Sequence, residues 1–310
     1  MSNNIVSTLI QSRVSLAPIT DYVLRSLIRK YSKNALLTTE MISSEYLAQT
    51  LNGRSGTEIL KRDPNHSPIS YQISGHKPFM MRQAAEFLSD YADMIDINMG
   101  CPVKKVVCGQ DGCALMRNPS LAADLVKAVK DGTDKPVSVK FRLGYTFEEM
   151  NYVEFGQQMQ EAGAQFITIH ARTRSQMYSG EADWEKIKAL KENVDIPVFA
   201  NGDVTSVEAA IKCLELSKAD GVAIGRGALA DPTLIARIEH YLRTGEMLKY
   251  HLDEEIKLRG ENVAIKFMRK FYPYYLAGFK NAKILRSKLV VEESYDNIIK
   301  LINSLRFVNT

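Results

Sequence analysis

Short apolar runs rich in Val, Ile and Phe alternate along the chain with longer stretches in which apolar residues return every three or four positions. The short runs read as buried strands and the longer stretches as amphipathic helices laid over them. Eight strands are predicted: Arg13–Ala17, Leu36–Glu40, Ile69–Ile73, Met94–Asn98, Val137–Arg142, Phe166–His170, Pro197–Ala200 and Gly221–Gly225. Helical spacing falls between them, at Phe79–Tyr91, Pro119–Lys130, Phe147–Ala162, Trp184–Lys191 and Val207–Leu216. Gly132 and Gly163 follow two of these helices and precede strands, as helix stops do.

Eight β/α units within roughly 240 residues predict an α/β fold, a (β/α)8 TIM barrel. An open doubly wound sheet shares the alternation. The strand count, and the lack of an early Gly-x-Gly-x-x-Gly turn, favour the barrel. Strand signals stop near Arg243, and Glu254–Leu258, Asn262–Tyr272, Asn281–Val290 and Asn297–Leu305 read as helices. The expected organisation is a catalytic barrel over residues 1–242 and a small all-helical domain over 243–310.

Composition narrows the class. The 310 residues are 45% hydrophobic and 25% charged, as in an ordinary globular protein. No run approaches the ~18 apolar residues of a membrane span, and the N-terminus carries no secretory signal pattern. The four cysteines form no disulfide framework, so reduced thiols in the cytoplasm are expected. Net charge is only +4, but residues 240–310 hold 13 Lys/Arg against 8 Asp/Glu. The excess positive charge therefore lies in the tail.

Barrel enzymes carry their chemistry at the C-terminal ends of the strands. Here those ends supply Ala17-Pro18-Ile19, Glu40, Gln72, Asn98 to Pro102, Lys140 and Arg142, His170 and Arg172, Asn201-Gly202-Asp203, and Gly225-Arg226-Gly227. The last two groups occupy the usual phosphate position of a barrel. Their glycines admit an anion close to the backbone, and Arg226 adds a charged donor. Lys140 and His170 lie on neighbouring strands and could stabilise negative charge on a bound ring. Cys101 sits in a Gly-Cys-Pro turn on the active rim, where a thiol of pKa ~8.5 is mostly protonated at neutral pH and can act as an acid. Cys213, on an apolar helix face, reads as a small buried hydrophobe. Cys101, Cys108 and Cys113 match no metal-ligand spacing, so no metal is expected.

Between Asn262 and Val291 there is no acidic residue. Lys266, Arg269, Lys270, Lys280, Lys283, Arg286 and Lys288 are interleaved with six aromatics from Phe267 to Phe279. One-sided charge of this kind suits a polyanion, nucleic acid above all, while most of the aromatics are expected in a small core.

Several stretches resemble the tRNA-dihydrouridine synthase family of bacterial type. They are Asp96-Ile-Asn-Met-Gly-Cys-Pro-Val-Lys-Lys-Val106, continuing through Gly112 to Met116; Val139-Lys-Phe-Arg-Leu-Gly144; His170-Ala-Arg-Thr-Arg-Ser-Gln-Met-Tyr-Ser-Gly180 with Asp183-Trp184; Asn201-Gly-Asp203; and Gly225-Arg-Gly227. They occur in the family's order over about residues 13–240, and Tyr274 to Arg286 resembles its tRNA-binding helical domain more loosely. The resemblance implies FMN-dependent reduction of particular tRNA uridines to dihydrouridine with NADPH, in a cytoplasmic monomer. By motif, Pro18, Ile19, Gln72, Lys140, His170, Asn201, Gly202, Asp203, Gly225 and Arg226 would bind FMN, and Cys101 would donate the proton. Asn98, Arg142, Arg172 and Arg174 would face the uridine or its backbone, and Lys280, Lys283 and Arg286 the tRNA. One departure stands out: Ala17-Pro-Ile-Thr-Asp21 brings Thr-Asp forward relative to the family's first flavin loop. Two rival readings are a flavin barrel acting on a free pyrimidine, like dihydroorotate dehydrogenase, and a non-catalytic RNA-binding barrel.

Overall fold

The computed structural model describes residues 2–51, 63–277, 279–303 and 306–307. Its sheet comprises β1 (Val14–Leu16), β2 (Leu36–Thr38), β3 (Ile42–Ser43), β4 (Ile69–Ser74), β5 (Met94–Met99), β6 (Val137–Arg142), β7 (Phe166–His170), β8 (Val198–Asn201) and β9 (Gly221–Ile224). All neighbours are parallel. The order β2-β1-β9-β8-β7-β6-β5-β4 closes through a β2–β4 pairing, so eight strands form a barrel, and the two-residue β3 continues β2 along the same edge of β4, nearer its C-terminal end. Every predicted strand is present within two residues of its expected ends.

A strand turns alternate side chains to opposite faces, and here the two faces differ in kind. On β6, Val137, Val139 and Phe141 are fully buried. Phe141 meets Phe155 of the helix Tyr152–Glu161 edge-on at 5.2 Å, which places this set beneath the outer helices. Ser138, Lys140 and Arg142 point the other way, into the barrel. β4, β5 and β7 repeat the pattern, with Ser70 and Gln72, Asp96 and Asn98, and Thr168 and His170 inside. Barrel interiors are usually filled with bulky branched residues. This one is polar in its middle and upper parts.

The lower end is apolar. Leu36, Met94, Phe166 and Phe199 pack with Val6 and Ile10 of the N-terminal segment into a cluster separate from the main core. Phe166 and Phe199 meet edge-on at 4.9 Å. The helix Ser2–Leu9 thus lies against the closed end of the barrel.

The outer helices start where side chains can cap them. Asn118 accepts the Leu121 N–H at 3.2 Å ahead of Pro119–Asp131, and Ser206 accepts the Ala209 N–H at 3.1 Å ahead of Val207–Ser217. The predicted helix Phe147–Ala162 begins later, at Tyr152. Residues 144–150 instead form a turn bridged from Gly144 to Met150, and Glu149 is drawn to Arg117 at 2.7 Å. A distant ion pair competes there with local helix propensity.

A single 26-residue helix, Leu234–Arg259, runs through the expected boundary at residue 242. Its first part buries Leu234, Ile235 and Ile238; further on, the Tyr241 hydroxyl donates to the Asn303 carbonyl at 2.9 Å. Helices Glu261–Met268, Tyr272–Tyr275, Ala282–Leu289 and Tyr295–Asn303 complete the tail. A two-residue antiparallel pairing of Phe279–Lys280 with Arg306–Phe307 is too short to announce itself in the sequence. Tyr272 and Phe279 are buried, whereas Tyr274 is 80% exposed.

Because the lower end is a compact apolar cluster, Phe199→Ala should destabilise the protein by about 3–5 kcal/mol. Denaturant unfolding measures this, and a loss below ~1 kcal/mol would mean that the lower end is not tightly packed.

Candidate active site

The C-terminal end of the barrel opens into a cleft of about 910 Å³ including its solvent-open mouth. Pro18 and Ile19 follow β1 on one side. Asn98, Gly100, Cys101 and Pro102 close β5, and Lys140 and Arg142 project from β6. His170 ends β7, Asn201, Gly202 and Asp203 end β8, and Gly225 and Arg226 follow β9. Most of the expected site residues thus meet at one opening. Gln72, Arg172 and Arg174 do not line the cleft, and neither do Lys283 and Arg286 on the tail helix Ala282–Leu289. The side chain of Lys280 lies outside the described residues.

The turn carrying Cys101 is held from several directions. The Asn98 Oδ1 accepts the N–H of Gly100 at 3.2 Å and of Cys101 at 2.9 Å. The Cys101 carbonyl accepts the Cys113 N–H at 3.1 Å. Arg142 donates Nε to the Gly100 carbonyl at 2.9 Å and Nη1 to the carbonyls of Thr173 and Met177, both at 2.8 Å. Gly112, with φ of 59°, lies so close behind Cys101 that a Cβ there would come within 3.0 Å of the cysteine Cβ. Cys101 remains partly exposed on the cleft, while Cys113 and Cys213 are fully buried. Burial pushes both of those thiols up to about 12. Among the described residues no group of three or more His, Cys, Asp or Glu side chains is placed to hold a metal.

Two arginines expected at the substrate are engaged by the protein itself, Arg172 away from the cleft and Arg142 at its wall. Arg142 and Arg172 are each only 2% exposed. Arg172 pairs with both oxygens of Asp203, at 2.8 and 2.6 Å, and also donates to the carbonyls of Ser179 and Gly180. Together they pin the loop 172–180 to the barrel rim. Arg174 packs its guanidinium 5.1 Å from the Tyr145 ring, whose centre lies 3.6 Å from the Arg117 guanidinium.

Burial, with concentrated positive charge beside it, sets the ionisation of the site. Burial, then the neighbouring Arg142, pushes the Lys140 ammonium down to about 8, while the Asp96 carboxylate opposes the shift. Lys140 therefore stays mostly cationic at neutral pH. His170 is pushed well below its ordinary value by burial and by Lys140, Arg142, Arg172 and Arg226, so its ring is neutral and acts as a hydrogen-bonding group. Burial works to raise the Asp203 carboxyl. The hydrogen bonds from Arg172 and the Ala182 N–H, with the charges of Arg172 and Arg226, outweigh it and hold the group below the usual range. Asp96, deep inside the barrel, is pushed up by burial against hydrogen bonds from Ser138 and Gln72 and the charge of Lys140.

Some contributors carried no assigned role in the sequence. Tyr178, 50% exposed at the mouth, has Arg226 and Arg142 at 5.0 and 5.6 Å from its ring centre and His170 ring to ring at 6.4 Å. Its place within the His170–Gly180 motif was the available signal. Asp96 was signalled by its place at the head of the Asp96–Val106 motif, without a role of its own. Asp21, displaced from the family pattern, caps the helix Tyr22–Tyr31 by accepting the Leu24 N–H at 2.8 Å.

A closed parallel barrel with a thiol, cations and bare glycine backbone gathered at its C-terminal mouth defines an enzyme of the (β/α)8 class. The chain matches the dihydrouridine synthase family over residues 14–301. It is 39% identical to the probable tRNA-dihydrouridine synthase 1 of Synechocystis sp., across 97% of this chain and 89% of that protein. It is 37% identical to tRNA-dihydrouridine synthase B of Pseudomonas aeruginosa (89% and 87% covered) and 38% identical to that of Shewanella oneidensis (84% of each). The chain belongs to the dihydrouridine synthase family of tRNA-modifying enzymes. No helix among the described residues is long and apolar enough to cross a membrane.

The Lys140 value implies a pH signature. Its folded-state pKa of about 8 lies below the ordinary ~10.4 of the unfolded chain, so between these values the unfolded chain binds more protons and stability rises with pH. Wild type should gain stability relative to Lys140→Met from pH 8 to pH 10. Parallel stability curves for the two in denaturant unfolding would show that the ammonium is not perturbed by burial.

Proposed function

We propose that this protein reduces particular uridines of tRNA to 5,6-dihydrouridine, with FMN held in the cleft and NADPH as the source of electrons. The observation that carries the reading is the convergence of Cys101 with Lys140, His170 and Arg226 on one cleft.

The residues present fit a flavin mononucleotide. Gly202 has φ of 116°, and a Cβ there would come within 2.9 Å of His170, so only glycine lets the backbone pass. A Cβ on Gly225 would have only Ala17 near it, at 3.8 Å, which leaves bare backbone toward the cleft. The half-exposed Arg226 begins the short helix Arg226–Ala230, and the first N–H groups of a helix lack partners within it. These groups, with Asn201 and Asp203, would hold the phosphate and ribityl chain. Pro18, Ile19, Lys140 and His170 would surround the ring system, whereas Gln72, expected there from the resemblance, is buried beneath the cleft. When bound, FMN supplies the hydride for C6 of the uracil.

The chain's own groups then have distinct tasks. Lys140, cationic at neutral pH, offsets negative charge at the pyrimidine edge of the flavin, and the neutral His170 contributes hydrogen bonding beside it. Cys101 gives its thiol proton to C5, which completes addition across the C5–C6 bond and leaves a thiolate that solvent reprotonates. Arg142 and Arg172 hold the surrounding loops closed. Asn98 fixes the Cys101 turn, and Arg174 is left at the rim for the RNA. A uridine stacked in folded tRNA must be turned outward to reach the barrel mouth, so the RNA needs a grip elsewhere. The tail, with Lys280, Lys283 and Arg286, would provide it, in a monomeric enzyme of the cytoplasm.

The protein as purified should carry flavin absorption. tRNA from cells lacking it should miss dihydrouridine at defined positions. Cys101→Ala should keep the flavin spectrum and tRNA binding while turnover falls at least ~100-fold; undiminished turnover would remove Cys101 from the reaction, and reduction of free uridine as efficient as that of tRNA would favour a small-molecule oxidoreductase. Replacing Lys283 and Arg286 by Ala should weaken tRNA binding and flatten its salt dependence, by about 0.7–0.9 in the log–log slope per lost phosphate contact. An unchanged slope would make those charges a solvated face only.

A further inference from the structure

We propose that Asp96, one layer beneath the cleft, is a positioning residue that sets the turn carrying Cys101 through a relay of two amide side chains. Asp96 does not line the cleft and is 5% exposed. Lateral register within the barrel sets Gln72, Asp96 and Ser138 side by side on β4, β5 and β6. The Asp96 carboxyl accepts at both oxygens, from the Ser138 hydroxyl at 2.6 Å and from the Gln72 Nε2 at 2.6 Å.

The second contact has a directional consequence. A carboxamide has one donating and one accepting end. With Nε2 turned to Asp96, the Gln72 Oε1 faces the opposite way and accepts the Asn98 Nδ2 at 2.7 Å. That contact turns the Asn98 Oδ1 upward, where it accepts the N–H groups of Gly100 and Cys101. The far end enforces the same order, because backbone N–H groups can only donate. Asn98 must therefore present oxygen to the turn and nitrogen to Gln72, and Gln72 must in turn find an acceptor below. Asp96 is that acceptor, and its second oxygen satisfies Ser138. Reversing Asn98 would set donor against donor at the turn, and reversing Gln72 would set donor against donor at Asn98 and oxygen against oxygen at Asp96, each leaving buried polar groups unpaired. The relay thus transmits a fixed orientation from the barrel interior to the backbone that aims the thiol into the cleft. Asp96 touches no reacting atom.

This role rests on the reading of Cys101 as the reacting thiol, and its test reads the turn itself. The readouts, taken on the flavin-loaded protein, are amide hydrogen exchange of peptides covering residues 98–103 and the rate of Cys101 alkylation by iodoacetamide. A Cys108→Ser background removes the other exposed thiol. Gln72→Leu should speed exchange in that segment at least tenfold and change the alkylation rate several-fold, with exchange in β7 and β8 unchanged. Gln72→Glu should do the same, because two carboxyl groups then face each other. Exchanging the groups, as Asp96→Asn with Gln72→Glu, restores a donor against an acceptor at every step and should bring both readouts back to within about threefold of the parent. The proposal is overturned if Gln72→Leu leaves the segment as protected as in the parent, or if the exchanged pair is no better than Gln72→Glu alone. Loss of flavin or of tRNA reduction would count against the proposed function, whereas the exchange pattern bears on the relay alone.

Discussion

Every ionisable side chain inside a closed barrel has to be matched by its neighbours, because burial takes it largely out of water. That requirement organises the upper half of this protein. Asp96, Lys140, Arg142 and His170 all project inward from β5, β6 and β7, and none could be buried alone without a cost of several kcal/mol. The structure meets the requirement in two ways. Asp96 accepts a hydrogen bond at each oxygen, and Arg142 donates from Nε and Nη1 to three backbone carbonyls. Lys140 and His170 are shifted toward their neutral forms by burial and by surrounding positive charge.

The polar interior is sustainable only because the rest of the barrel is not polar. The outward faces of the strands pack beneath a shell of helices, and the lower end is closed by Phe166, Phe199 and the N-terminal segment. Stability thus resides in the outer layer and the base, which leaves the inward residues of the upper half free to serve chemistry at some energetic cost. The division follows the general logic of barrel enzymes, in which one end carries the fold and the other the reaction.

The basic tail divides its residues in the same manner. Tyr272, Phe279 and Leu285 are interior. Phe267 lies under its own cations, with Lys270 at 3.7 Å and Arg259 at 4.2 Å from the ring centre. Tyr274 and Lys283 remain outward. Most aromatics are thus spent on packing, and the cations left on the surface are the part of the tail suited to a polyanion. The continuous helix Leu234–Arg259 carries this unit directly from the barrel wall, with no linker between them.

The alternation of apolar residues along the chain was enough to place all eight barrel strands and most outer helices, because each depends on contacts whose period is visible in a single segment. It also placed Cys101, Lys140, His170 and Arg226 at one rim, since strand ends in a barrel converge. What the linear pattern could not contain was the partner of each polar group. Gln72 reaches Asp96 across 24 positions, Ser138 reaches Asp96 across 42, and Arg142 reaches the carbonyls of Thr173 and Met177 across 31 and 35. Those pairings depend on the register between strands and on how loops fold back over the mouth. Arg142 and Arg172 look in sequence like substrate ligands, His170 like a cation, and Asp96 like the head of a motif with no task of its own. Only the assembled barrel makes the arginines into loop clamps, leaves the imidazole uncharged, and turns the buried carboxyl into the acceptor at the base of the Cys101 turn.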